Sequence, residues 1–242
     1  MKIMNRFKNP KGFTFIEIIF AIFIGLMMLS AIYVSMLSGQ RSSLAIDQKV
    51  AAQQDVRSAL EMMAMEIGMA SYNPTFASGL WRDAANCGMP GNQVYKGIQA
   101  ANANSITVEM DIGGTGVVND ESNETLTYAY DPASRRVTRV SNCGTPQSFI
   151  GDFSSAQKSL TVANDLLGIN NAKGNGFPAI FRYYNGRGVE LYPQDTPSDI
   201  SNIRRVDITL GVQTNEVNPN TNQPRSMIYS SSVIVRNHSI NF

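Results

Sequence analysis

Charge is scarce in this chain, and its distribution matters more than its amount. Asp, Glu, Lys and Arg together make up 16% of the 242 residues. Between Lys11 and Arg41 the sole charged side chain is Glu17. Proline is missing over a longer stretch: none falls between Pro10 and Pro74, so nothing there forbids an uninterrupted helix. Histidine occurs once, as His238, and neither Gly-x-Ser-x-Gly nor His-Glu-x-x-His is present. A single histidine beside Asn237 near the carboxyl end reads as a strand-end surface residue, and no catalysis is expected from it. Cysteine occurs only at positions 87 and 143, too few for a recognisable disulfide framework. A net charge of +1 speaks against a strong nucleic-acid surface.

What is present begins with a basic segment, Met1 to Gly12, carrying Lys2, Arg6, Lys8 and Lys11 without an acid. Such a flank is expected to stay on the cytoplasmic side. Without those four residues the chain holds sixteen Lys and Arg against nineteen Asp and Glu, a net charge of −3. Phe13 to Leu37 follows as an apolar run. As a helix rising 1.5 Å per residue it is long enough to cross a hydrocarbon core about 30 Å thick. The remainder is then expected to be exported. A secretory signal peptide has a shorter apolar core, about 7 to 15 residues, ending at a small-x-small site. Here the exit reads Ser35-Met36-Leu37-Ser38-Gly39, a poor site. Gly12, in contrast, stands between the charges and the apolar run, where a cut would remove the leader and keep the anchor. An ionised side chain inside a membrane is costly, so Glu17 needs a partner or a purpose. The competing reading is an uncleaved anchor whose Glu17 snorkels to the headgroups.

The sequence Lys11-Gly12 followed by Phe13-Thr14-Phe15-Ile16-Glu17 resembles the leader of type IV pilins and type II secretion pseudopilins. The resemblance implies cleavage after Gly12 by a prepilin peptidase, N-methylation of Phe13, and an assembly role for Glu17. Glu17 lies four residues beyond Phe13, about 6 Å along a helix axis, so the new amine and the carboxylate fall near the same membrane face. In the family the glutamate is thought to meet the amine of a neighbouring subunit; an intrasubunit pair at i, i+4 is equally allowed by spacing. The stretch Arg57-Ser58-Ala59-Leu60 to Gly68 and the segment Ile203 to Leu210 look like those of PilW-type minor pilins and J-type pseudopilins.

The apolar pattern changes character beyond Leu37. Ile46, Val50, Val56, Leu60, Met63, Ile67 and Ala70 recur at three- and four-residue spacing, with Asp55, Arg57, Glu61 and Glu66 on other faces, which predicts an amphipathic helix. After Tyr72 the composition turns to Gly, Asn, Ser, Thr and alternating apolar residues. Ser105 to Ile112 should be a strand. Glu124 to Tyr130, the turn Asp131 to Ser134, and Arg135 to Val140 should form a hairpin, as should Ala179 to Tyr184, Asn185-Gly186 and Gly188 to Tyr192. Ile203 to Thr214 and Met227 to Arg236 read as longer strands joined by a polar loop. The expected fold is α+β: a long amino-terminal helix packed on a mostly antiparallel sheet. Its divisions are a leader at 1–12, a membrane or filament-core helix at 13–37, an amphipathic continuation at 38–71 and a β-rich periplasmic head at 72–242.

Weaker signals remain. Asp111 to Glu124 offers several hard oxygen ligands that calcium accepts, but its spacing is not that of an EF-hand, and a solvated hairpin loop is the expectation, with no metal. Arg182, Tyr183, Tyr184 and Arg187 surround the Asn185-Gly186 turn, where they could contact DNA or glycan, or pair across strands. Cys87 and Cys143 would form a disulfide on an oxidising side of the membrane, or remain two buried thiols. The expected role is a minor pilin, without cofactor or catalysis, that leaves the inner membrane to join a filament with other minor and major pilins and helps prime its assembly. A J-type pseudopilin and a filament-tip module for DNA or surface binding are the alternatives.

Overall fold

The computed structural model describes residues 12–83, 88, 90–151, 160–169, 179–217 and 223–239. The basic leader residues Lys2, Arg6, Lys8 and Lys11, and with them Cys87, lie outside that set. The chain divides into two units, Met1–Asp47 and Gln48–Phe242. Helix α1 (Phe15–Gly68) runs for 54 residues and contributes to both.

In the first unit no described residue is buried, and Phe20, Phe23, Leu29 and Tyr33 all face outward. An apolar surface that surrounds a helix on every side suits lipid or a bundle of like helices. Along its apolar part the Ser30 hydroxyl donates to Leu26 O at 2.8 Å, so it is satisfied within the helix.

In the second unit α1 buries Ala52, Val56, Ala59, Leu60, Met63 and Ile67, a stripe at helical spacing. Ile46 and Val50, expected on that stripe, are exposed. At about 100° per residue Val50 sits roughly 120° away from Val56, and the small Ala52 takes the place facing the core. Glu66, expected on another face, points inward and is 8% exposed. It lies one turn beyond Met63, on the buried side. The helix stops where Ala70 N bonds Ile67 O at 3.1 Å and Tyr72 N bonds Met69 O at 3.0 Å, with Ser71 between them at φ 65°. That left-handed residue ends helical progress.

Two antiparallel sheets complete the second unit. The first is a meander of β1 (Ile98–Ala101), β2 (Ser105–Glu109), β3 (Thr125–Asp131), β4 (Arg136–Ser141) and β5 (Gln147–Ile150), in that spatial order. The second has the order β10 (Pro224–Ile234), β9 (Arg205–Val217), β7 (Phe181–Tyr184), β8 (Glu190–Leu191), with β6 (Leu160–Val162) also paired to β9. Inward residues of both sheets, including Ile106, Leu126, Tyr128, Phe181, Val206 and Ile208, form one cluster with the helix stripe. Burying a side chain of this size contributes about 1.5 to 3 kcal/mol. The fold is thus α+β, a long helix packed on antiparallel sheet.

Local chemistry explains most boundaries. The strand expected at Ser105 to Ile112 ends at Glu109, because Met110 N turns to Glu124 O at 2.9 Å and Asp111 enters a loop. The β3–β4 turn is held by Asp131, whose carboxylate accepts Ala133 N at 2.9 Å and the Ser134 hydroxyl. In the β7–β8 hairpin the left-handed residue is Gly188 at φ 78°, not Gly186. Asn185 caps this turn instead, its side-chain oxygen accepting Arg187 N and Val189 N at 2.9 and 3.0 Å.

Candidate functional site

Thr14 immediately precedes α1, and Glu17 occupies its first turn. Glu17 Oε2 accepts from Thr14 N at 2.8 Å and from the Thr14 hydroxyl at 2.9 Å, while Glu17 N donates to Thr14 Oγ1 at 3.4 Å. These reciprocal bonds are a capping box, in which two orphan amide donors of a helix start are satisfied by side chains three residues apart. The acid also stands at the positive end of the helix dipole. One oxygen of Glu17 is therefore committed locally, and for Oε1 no partner is found among the described residues. Gly12 has no atom near its missing side chain, and Phe13 is 86% exposed. The three residues singled out from sequence lie together at the tip of one helix. Behind them the apolar part of α1 reaches a mean hydropathy of 2.5 over an eighteen-residue window with none of it buried.

Other candidates from sequence fare differently. The loop between Asp111 and Glu124 is solvated over most of its length, as expected, but the two acids that bracket it are fully buried and organise it. Asp111 accepts Thr115 N and Gly116 N at 3.0 and 2.9 Å; Glu124 Oε1 accepts Ile112 N and Gly113 N at 3.0 and 3.2 Å. Carboxylates engaged by backbone donors hold the loop together from within. Among the described residues no group of three or more His, Cys, Asp or Glu is placed to hold a metal ion. The cluster around the β7–β8 turn is split by strand alternation. Tyr183 turns into the core, its hydroxyl donating to Asn102 O at 2.8 Å, whereas Arg187 is exposed. Tyr184 lies under Arg205, 4.1 Å from guanidinium carbon to ring centroid, and Arg182 faces Glu190 at 3.8 Å. Cys143 occupies the bend after β4 at φ 57°.

His238 is not a surface residue. It is fully buried, with Nδ1 2.8 Å from the Ser71 hydroxyl and Nε2 2.9 Å from Ile200 O. A carbonyl can only accept, so Nε2 carries the proton and Ser71 donates to Nδ1. The Ser71 oxygen also accepts Gly97 N at 3.0 Å. Gly97 is required there, since a Cβ would come within 2.2 Å of Ser71 N. Burial lowers the His238 pKa to about 4, helped by the cations Arg204 and Lys96. The pair resembles a nucleophile and base on paper, but both groups are sealed in the core and engaged in fixing the chain.

Two further acids escaped sequence reading. Glu66 receives Arg139 Nη2 at 2.8 Å and Nε at 3.1 Å on its two oxygens, together with the Tyr128 hydroxyl. The Glu66 bond raises the Arg139 pKa, and burial with the Glu66 bond raises that of Tyr128. Glu109, fully buried, accepts Arg82 N at 2.9 Å on Oε2, while among the described residues Oε1 has no hydrogen-bond partner. Burial pushes its pKa up to about 7.

Residues 7–33 match a family model described as a prokaryotic N-terminal methylation motif. The match spans the helix tip with Gly12, Phe13, Thr14 and Glu17 and stops short of the second unit. No curated protein and no solved structure matches the chain. The chain therefore carries a pilin-type processing signal, which implies a prepilin peptidase and assembly with other pilins, and its exposed apolar helix fits a membrane anchor.

Proposed function

We propose that this chain is the precursor of a minor type IV pilin of the PilW kind. A prepilin peptidase removes residues 1–12, the new amine on Phe13 is methylated, residues 13–37 anchor the protein in the inner membrane, and the head lies in the periplasm. Subunits then leave the membrane and join the filament, where the head meets other pilins and helps start assembly. The observation that carries this reading is the coincidence of the methylation motif at residues 7–33 with a capped helix start at Thr14 and Glu17. Thr14 holds Glu17 Oε2, which leaves Oε1 for a cation from outside the chain, and the Phe13 amine of a neighbouring subunit supplies one.

No catalysis is proposed for the head, because the one histidine is fully buried between Ser71 and Ile200. Cys87 and Cys143 are proposed to pair. In the chain-entropy model such a link contributes about 4 kcal/mol by closing a long loop. The test is the amino terminus of the protein extracted from membranes, read by mass spectrometry. A start at methylated Phe13 is expected; a start at Met1 overturns the reading.

A further inference from the structure

Sheet borders invite unwanted pairing, and proteins usually blunt them with brevity, bulges, proline or charge. Among the described residues, three of the four borders that end the two strand orders follow that rule. β1 and β5 flank the first sheet with four residues each and an irregular register, and β8 ends the second with two. The fourth does not: β10 runs for eleven residues and holds unbroken register with β9 from Ser226 to Ile234. Its only proline is the first residue, and no charged residue falls between Arg225 and Arg236. Among the described residues no strand covers its outer border.

Backbone directions along that border follow from one bond. Val235 N donates to Arg204 O at 2.9 Å, across the register that pairs Ile234 with Arg205. Alternation then turns the amides of Ile228, Ser230, Ser232 and Ile234 away from β9. The same four residues are exposed, Ile228 at 59% and Ile234 at 62%. Two apolar side chains thus flank two serines on one face, symmetric about Ser231.

We propose that β10 is a dimerisation edge that pairs antiparallel with β10 of a second copy about a two-fold axis at Ser231, joining the two sheets into one. In that register Ile228 meets Ile234 of the second copy on the exposed face, and Ser230 meets Ser232, each as a hydrogen-bonded pair. Ser231 faces its own counterpart as a non-hydrogen-bonded pair, where Cα atoms approach to about 4.5 Å. Arg225 falls opposite Asn237 and Arg236 opposite Ser226, so no like charges collide. An isologous contact of this kind closes on itself and does not propagate. This inference is independent of the proposed role in a pilus.

The test uses the full chain in detergent. Sedimentation equilibrium should give a dimer for the natural sequence, and Ser231→Cys should cross-link to a dimer under mild oxidation. Ser230→Pro removes an amide the β9 ladder does not use, and should weaken dimerisation at least tenfold while retaining the thermal melt. Ser230→Lys, which leaves every backbone amide in place, should do the same. A monomer at all concentrations overturns the proposal. So does a dimer that survives both Ser230 substitutions, which would place the contact elsewhere, or a Ser231→Cys dimer that fails to cross-link.

Discussion

Helix α1 carries a glutamate near each end, and the two are held in opposite ways. Glu17 is exposed, and among the described residues its hydrogen bonds reach only Thr14 and leave Oε1 without a partner. Glu66 is buried, and its partners Arg139 and Tyr128 come from the first sheet, 73 and 62 residues further along. One side chain type thus serves two ends of a single helix. Where the chain supplies the counter-charge, the acid fixes the head; the other acid is the one proposed for a contact between molecules. An uncapped membrane acid would be a defect, and an unpaired buried one would be worse.

The contrast can be broken at either end. The largest effect is expected from Glu17→Ala, which should leave the precursor inserted and cleaved but reduce its incorporation into filaments at least tenfold. Immunoblots of sheared filaments against membranes would read this, and normal incorporation would refute the pairing role. The head should melt as before, because the hydrogen bonds of Glu17 among the described residues are to Thr14.

At the other end, Arg139→Ala leaves the Glu66 carboxylate without its cation. The pair is partly exposed, with side-chain accessibilities of 20% and 11%. The full penalty for orphaning a buried charge is therefore discounted to about 2 to 3 kcal/mol, read as a lower denaturant midpoint. Replacing both residues, Glu66→Leu with Arg139→Met, should recover much of that loss. A double variant no more stable than Arg139→Ala would show that the charge was not the cause.

The smallest effect separates the head from the anchor by pH. His238 titrates at about 4 in the fold against 6.5 when unfolded, so its contribution is complete above 6.5 and is lost as pH falls toward 4. Glu109 works the other way: at about 7 in the fold against 4.5 unfolded, its contribution is complete below 4.5 and is lost as pH rises through 7. Between pH 4.5 and 6.5 the two slopes oppose each other, and head stability should be nearly flat. Glu109→Gln should expose the histidine limb, with stability rising by about 1 kcal/mol per pH unit, and His238→Asn should expose the reverse slope. Denaturant melts of both variants across that window decide it; parallel profiles would refute the assignment.

Sequence was most informative where the physics is local. The run of apolar residues, the Asp131 turn and the long strands β9 and β10 all depend on neighbours a few positions away, and each is legible. Sequence places Glu66 off the apolar stripe because its face is decided by Arg139, and His238 at the surface because Ser71 lies 167 residues earlier. Strands β1, β5 and β6, at three or four residues, are too short for alternation to register. The stripe on α1 was drawn through Ile46 and Val50 because size outweighed phase, whereas alanines at 52 and 59 mark the closer approach. At the candidate site Gly12, Phe13 and Glu17 were readable as a motif, while the hydrogen bonds that join Glu17 to Thr14 needed coordinates.

The Ser71 contact sets an order of events as well as a geometry. Its hydroxyl is shared by Gly97 and His238, so the stop of α1 is completed only by a residue 167 positions further along. Closing a loop of that length is slow compared with forming a helix or a hairpin. If the head is exported as proposed, it remains open at this seam until His238 has emerged. Truncation before His238 is then a lesion of timing, leaving sheets that can form around a helix whose exit is never latched.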